Sequence, residues 1–385
     1  MRIASNIIET IKAKADIVEV IGEYVHLTKK GQNFIGLCPF HNDSTPSLTV
    51  SSAKGIYKCF ACDASGDVIK FLQEYLNISF VEAVKMLAKK YGVEIPEDSY
   101  SSIGDEDQRK RESMFIINDY ASKYYAENLF ADTDEARKAL YYATNRWPQD
   151  FIRTFGIGYA SNSWDSFSLW ANGKGLDKDL MLELGLVKEK STNDDVYDTF
   201  RGRIMIPIRD KQHRIIAFTA RLLPDILAHD PNAPKYINSS TSLIYDKGNS
   251  LFGIDVAWNV ASKAGVMNLV EGAPDVMRLQ VIGASNTVAP LGSSWTEAQL
   301  SMLKRITDRL NIIPDSDIPK EGEHFGVGFT SAMRTGKLAL SLGFIVTIQE
   351  IPIGDWKNDP DSYLVSKDKL DELTRQDFVM WYASK

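Results

Sequence analysis

Cys38, His41, Cys59 and Cys62 follow one another as C-x2-H-x17-C-x2-C, and together they use every cysteine in the chain. Two close pairs of sulfur and imidazole donors can each sit on a tight turn and converge on one ion, as tetrahedral zinc requires. Three thiolates and one imidazole fill all four positions, so the spacing predicts a closed, structural zinc site without a vacancy for catalysis. Any fold containing residues 38–62 must bring those four side chains to a single point.

The chain has 385 residues, more than one hydrophobic core usually organises, which predicts two or three domains. Three cysteines at metal spacing fit a reducing cytosol better than a disulfide framework. No apolar run of about 18 residues is present, so the expected protein is cytoplasmic, with no membrane partner. The net charge of -7 speaks against a nucleic-acid partner only globally. Residues 201–250 hold eight Lys/Arg against four Asp/Glu, a local +4.

Helical periodicity covers residues 5–24 and runs into a short alternating stretch at 24–27; short strands are expected at 34–37, 47–50 and 55–57. Helices follow at 68–76 and 80–91. The acidic, Ser-rich stretch 97–107 reads as a linker. A helical pattern from 115 to 155 gives way to strands at 204–208 and 214–220. From 264 onward strands (266–270, 285–289, 310–313) alternate with helices (275–282, 296–304), the signature of a parallel sheet covered by helices.

Two of those strands end on acids, one on Glu271 and one on Asp315 and Asp317; a third acidic group, Asp355, Asp359 and Asp361, follows residues 344–351. In open α/β sheets functional groups gather at the carboxyl ends of strands. Asp315 and Asp317, two apart, project to one side of extended chain and make a two-pronged oxygen site suited to magnesium. Such a site fits nucleotidyl transfer, with Arg201, Arg203, Arg221, Lys235 and Lys247 available for phosphates. No P-loop is present: Ser331 and Leu338 replace the required residues around Gly336-Lys337. Gly326 and Gly328 form no dinucleotide fingerprint, because Ser331 stands where a third glycine is needed.

KKGQNFIGLCPFHNDSTPSLTVSSAKGIYKCFACDASGDVIKF (29–71) resembles the zinc-binding domain of DnaG-type bacterial primases. FRGRIMIPIRD (200–210), PKYINS (234–239) and YDKGNSLFGI (245–254) resemble that family's catalytic-core motifs, and LVEGAPDV (269–276), IPDSD (313–317) and NDPDSYL (358–364) its Toprim motifs. The resemblance implies a multi-domain α+β and α/β protein: a zinc-ribbon-like module (1–96), a linker (97–111), a mixed α+β subdomain of the primase core (112–255), a Toprim α/β subdomain with a mostly parallel sheet (256–353), and an acidic metal-site loop with a helical segment (354–385). It implies synthesis of RNA primers on single-stranded DNA from ribonucleoside triphosphates, giving an RNA–DNA hybrid, with a replicative helicase acting in trans. Glu271, Asp315 and Asp317 would be catalytic and, with Asp359 and Asp361, would hold Mg2+ or Mn2+; Asp275 would support them. Lys235, Asn238 and Lys247 would line the nucleotide and template groove. Arg146 falls in TNRWPQDFIRTFGIGYA (144–160), a further family-like stretch. Lys30, Phe34, Tyr57, Lys58 and Phe60 would help the zinc module read template, although Phe34 and Phe60 suit a small core better.

Some residues depart from the family pattern. Ala273 and Pro274 replace an aromatic and another apolar residue, Ser316 stands in DSD instead of DGD, and the polar stretch 319–328 lengthens the path to the next helix. No helicase-binding domain follows the Toprim-like motifs, as in a naturally short primase or a piece of a longer one. Two other readings remain: a Toprim nuclease or nicking enzyme using the same carboxylates, and a catalytically weak single-strand-binding protein of a mobile element.

Overall fold

The computed structural model describes residues 5–41, 43, 45–76, 78, 80–93, 102–190, 195–319, 321–322, 324–354 and 358–385. Residues 97–101 of the expected linker and Asp355 of the third acidic group lie outside them. The chain divides into two compact units, Met1–Lys110 and Arg111–Lys385. No helix among the described residues is long and apolar enough to cross a membrane.

In the first unit, an antiparallel sheet runs in chain order through Thr28–Lys30, Asn33–Gly36, Leu48–Ser51, Ile56–Cys59 and Ser65–Gly66. Val68–Leu76 and Phe80–Tyr91 are helices, as their periodicity predicts. Their apolar faces bury Phe71, Leu72, Val84 and Leu87 with Leu48, Val50 and Tyr57 of the sheet in one core. The alternating stretch 24–27 precedes the first strand, which starts at Thr28. Val25 and Leu27 pack on the core from a turn, and the pairing begins where Thr28 meets Ile35.

The division between the two units falls inside the stretch 97–111 expected as a linker. From Ser102 that stretch is helical, part of Ser102–Leu129. Glu, Gln, Arg and Lys are strong helix formers, so a segment without an apolar stripe can still be a solvated helix.

The second unit holds two larger sheets. Tyr236–Asn238, Ile215–Leu222, Arg203–Arg209 and Gly158–Ala160 pair antiparallel in that order. The other sheet runs Leu251–Phe252, Thr287–Pro290, Met267–Leu269, Arg309–Ile312, Ile345–Gln349, Arg375–Asp377; its four inner strands are parallel and its edges antiparallel. The inner strands are covered on both faces: Met267, Leu269, Leu310, Ile312, Val346 and Ile348 are buried apolar residues on one, and Asn268, Asn311 and Gln349 are buried amides on the other. Across them a chain of buried amides is superimposed: Asn311 Nδ2 donates to Asn268 Oδ1 (3.0 Å) and to Gln349 Oε1 (2.7 Å). In strands this short, one register satisfies these groups and a slipped one strands them. The register pairs Leu269 with Ile312, so the loops after both strands leave the sheet side by side.

Candidate active site and metal centre

In the first unit, Cys38, His41, Cys59 and Cys62 place one ligand atom each within 4.8 Å of one another. Two thiolates bound tetrahedrally at about 2.3 Å lie roughly 3.8 Å apart. Cys38 Sγ and Cys62 Sγ are separated by 3.8 Å, the spacing that a shared zinc ion requires of this pair. Burial works to raise the Cys59 thiol, but the Ser47 hydroxyl and the Cys62 and Ala61 amides hold it below its usual value. Burial pushes the Cys38 thiol up, a cost that an ion removes by binding the thiolate.

His41 turns Nδ1 toward Cys59 Sγ (3.9 Å) and Nε2 toward Asp43 Oδ1 (3.8 Å). The ring is thus oriented with Nδ1 toward the cluster and Nε2 toward Asp43. Burial would raise the Asp43 carboxyl, yet donors from Ser47, Cys38 and Thr45 lower it to about 2. Asp43 is absent from the sequence reading, where only its place two residues beyond the histidine could have signalled it.

Of the expected template-reading residues, Tyr57 is 1% exposed and its hydroxyl donates to Glu74 (2.8 Å), which makes it core. Phe34 packs half-buried against that core. Phe60, assigned above to a core, is 72% exposed, with the Lys58 ammonium 5.6 Å from its ring centre. It follows the ligand Cys59 on a turn, where its side chain has no layer to enter. Lys30 is exposed on an edge strand.

The acids of the second unit meet at the strand ends. The Asp315 amide donates to Glu271 Oε1 (3.3 Å), joining the two loops. Asp317 Oδ2 accepts from the Gly328 amide (3.0 Å) in the first turn of Val327–Ser341, where the helix dipole favours negative charge. A Cβ on Gly328 would lie 2.2 Å from the Asp315 carbonyl oxygen, and one on Gly326 2.3 Å from that of Asp317. These glycines let the helix touch the acidic loop backbone to backbone.

Asp275 lies beneath this group. Burial first, then the charges of Asp315, Asp359 and Glu271, hold its carboxyl well above the usual carboxylate range. It accepts from the Gly272 amide (3.0 Å) and the Asp361 amide (3.2 Å). Ser316 and Asn358 pair as a β-bridge, which brings Asp359 next to the Asp315–Asp317 loop. Carboxylates close enough to raise the proton affinity of Asp275 are hard oxygen donors of the kind a divalent cation such as magnesium takes.

Asp361 stands apart from this pattern. It is 5% exposed and paired with Arg146 and Arg278. Arg146, expected on substrate, is thus engaged within the protein, and Arg278 is absent from the sequence reading.

Arg203 contradicts the phosphate-binding expectation. It is 6% exposed and spans the sheet to the Ala220 and Lys235 carbonyls (3.4 Å each). Its place inside the run RGRIMIPIR puts it on the covered face of a strand. Arg201 stacks over Trp164 (4.0 Å) and donates to the Asp198 carbonyl. Arg221 donates to the Tyr236 hydroxyl (2.6 Å), and Asn238 to the Leu291 carbonyl (3.0 Å). Lys235 and Lys247 are exposed. The Lys247 loop is anchored by Gln299 Nε2, which donates to the Lys247 and Ser250 carbonyls (2.9 and 2.8 Å). A cleft of about 150 Å³ lies between Tyr236, Asn238 and the helix start at Gly272–Pro274, which directly follows Glu271 in the chain.

Residues 3–102 match the CHC2 zinc finger family, and residues 124–258 the N-terminal domain of the DNA primase catalytic core. A DNA primase of Clostridium acetobutylicum is 36% identical over 364 residues, covering 94% of this chain and 57% of its own length. The chain spans about three fifths of the length of the curated relatives it matches. The zinc-binding and RNA polymerase domains of the Aquifex aeolicus primase superpose with a TM-score of 0.59 at 32% identity, covering 97% of this chain and 86% of that one. A DnaG primase catalytic domain bound to single-stranded DNA gives 0.58 at 27% identity, over 70% of this chain and 81% of that one.

Proposed function

Because this chain belongs to the DnaG-type bacterial DNA primase family, we propose that it is a cytoplasmic DNA-dependent RNA primase, making short RNA primers on single-stranded DNA from ribonucleoside triphosphates. The observation that carries this reading is the junction of Glu271 with the Asp315–Asp317 loop, beside the cleft that Tyr236 and Asn238 line. The mostly parallel sheet beneath it is read as a Toprim domain. The bound DNA of the related catalytic domain supports a single-stranded template here. A replicative helicase acting in trans would deliver that template.

Glu271, Asp315, Asp317 and Asp359 would hold the divalent ions. When bound, magnesium or manganese lowers the pKa of an attacking 3′-hydroxyl and stabilises the leaving pyrophosphate. The chain's own residues do the positioning. Asp317, braced on the Gly328 amide, and Glu271, braced on the Asp315 amide, keep the oxygen donors fixed before substrate arrives. Lys235 and Lys247 extend from the surface and suit phosphate oxygens, while Arg221 is aligned by the Tyr236 hydroxyl. Asn238 ties the antiparallel sheet to the strand-end loop at Leu291 and so keeps the cleft open between them.

In the first unit one structural zinc would hold the module's turn so that Phe60 and Lys58 face outward, an aromatic and a cation suited to a base and its phosphate. Incubation with single-stranded DNA, Mg2+ and labelled ribonucleotides tests the reading. Labelled oligomers that require Glu271 support it. Cut template without oligomers would mark a nuclease, and template retention without turnover a binding protein.

A further inference from the structure

Asp361 is held by the protein at its amide, its carbonyl and one carboxylate oxygen, while its Oδ1 is buried with an ion pair and no hydrogen bond. Its amide donates to Asp275 Oδ1 (3.2 Å), and its carbonyl accepts from Arg278 Nε (2.9 Å). One carboxylate oxygen is paired with Arg146, and the other lies 3.4 Å from Arg278 Nε. Arg278 also donates from Nη2 to the Arg146 carbonyl (2.7 Å), so it holds Asp361 directly and holds the segment that carries its second partner. Two guanidinium groups on one buried carboxylate disfavour a divalent cation there, since each repels it at short range. Asp359, two residues earlier, lies near the other acids. Its charge adds to those of Asp315 and Glu271 at Asp275, and its Oδ1 caps the turn at the Ser362 amide (2.8 Å).

The geometry points to Arg278 as a positioning residue that withdraws Asp361 from the ion and locks the 358–361 loop, leaving Asp359 as the metal-facing acid of the pair. This rests on the reading of the acidic cluster as a divalent-cation site. Arg278 projects from the helix Ala273–Val281, whose first turn carries Asp275, so one helix holds both the buried acid and the clamp on the loop above it.

Mn2+ binding to the zinc-loaded full chain, followed by electron paramagnetic resonance, tests the assignment without depending on catalysis. Arg278→Ala and Asp361→Asn are each expected to weaken Mn2+ binding about tenfold, the usual effect of losing an outer-shell partner. The double variant should be no weaker than either single one, because both remove the same clamp. Asp359→Asn should be weaker than all three. The assignment is overturned if Asp361→Asn matches Asp359→Asn while Arg278→Ala binds as wild type, or if the two clamp variants add. Should Arg278→Ala not fold, the comparison of Asp361→Asn with Asp359→Asn decides alone. Priming read on the same samples separates the two claims: wild-type protein that binds Mn2+ yet makes no RNA refutes the activity, while the variants still decide the clamp.

Discussion

Gly328→Ala is a one-methyl test of the proposed site. Gly328 lies in the helix Val327–Ser341 and has no positive φ, so alanine brings no backbone strain and is intrinsically the better helix former by about 1 kcal/mol. All the harm is steric. The new Cβ would lie 2.2 Å from the Asp315 carbonyl oxygen, against 3.4 Å for ordinary contact, a shortfall of 3.4 − 2.2 = 1.2 Å. It would also stand 2.9 Å from the Asp315 carbonyl carbon and from Asp315 Cβ. Those atoms belong to the backbone and to the root of the side chain, so no rotamer change relieves the contact. Either the helix or the Asp315–Asp317 loop must move by about 1 Å, and a displacement of that size at a catalytic group costs on the order of 100-fold in rate, about 2.7 kcal/mol. Overpacking should cost about 1–3 kcal/mol of stability as well. Primer synthesis on a single-stranded template, run alongside a thermal melt, measures both. An alanine variant that primes within threefold of wild type and melts with it would refute the close approach as a requirement of the site.

Other outcomes follow from the same geometry. Glu271→Gln should abolish labelled primer while leaving template retention largely intact; synthesis near the wild-type rate would remove Glu271 from the site. Cys59→Ser should lower zinc content and unfold the first unit, read by metal analysis and circular dichroism, and unchanged zinc would refute the ligand set. The Asp275 carboxyl titrates above its unfolded value because burial and the neighbouring acids resist its charge. Its contribution to stability is therefore complete below the unfolded value of about 3.9 and is lost as pH rises through the folded one. Metal-free protein should gain urea resistance from this group as pH falls from 7, and Asp275→Asn should lack that part of the slope; equal slopes would show the carboxyl to be unperturbed. Phe60→Ala should leave the melting temperature unchanged, since the ring is 72% exposed, and weaken single-stranded DNA binding by about 1–3 kcal/mol if it stacks a base.

The features legible in the sequence are those local in the chain. Four ligands at gaps of two residues meet on two turns whatever the rest of the fold does, so the zinc cluster can be read from spacing alone. Apolar runs ending on Glu271 and on Asp315 likewise mark strand ends, because strands of a parallel sheet are bounded by the loops that carry function. Charged residues are the weak point. Arg203 reads as a phosphate ligand and is a buried strut, while Tyr57 and Phe60 exchange the roles that hydrophobicity suggests. Nothing in a side chain's type says which face of a short strand it occupies, or whether a turn leaves it outside the core.

Residue order alone thus specifies the ligands of one metal, the alternation of strand and helix, and the acids at the strand ends. How those acids are divided belongs to the tertiary fold. Arg278 reaches Asp361 across 83 positions and the Arg146 carbonyl across 132, and the Asp315 amide reaches Glu271 across 44. Pairings at such separations depend on strand order and register, and these are set by burial of the whole sheet, to which no single segment holds the key.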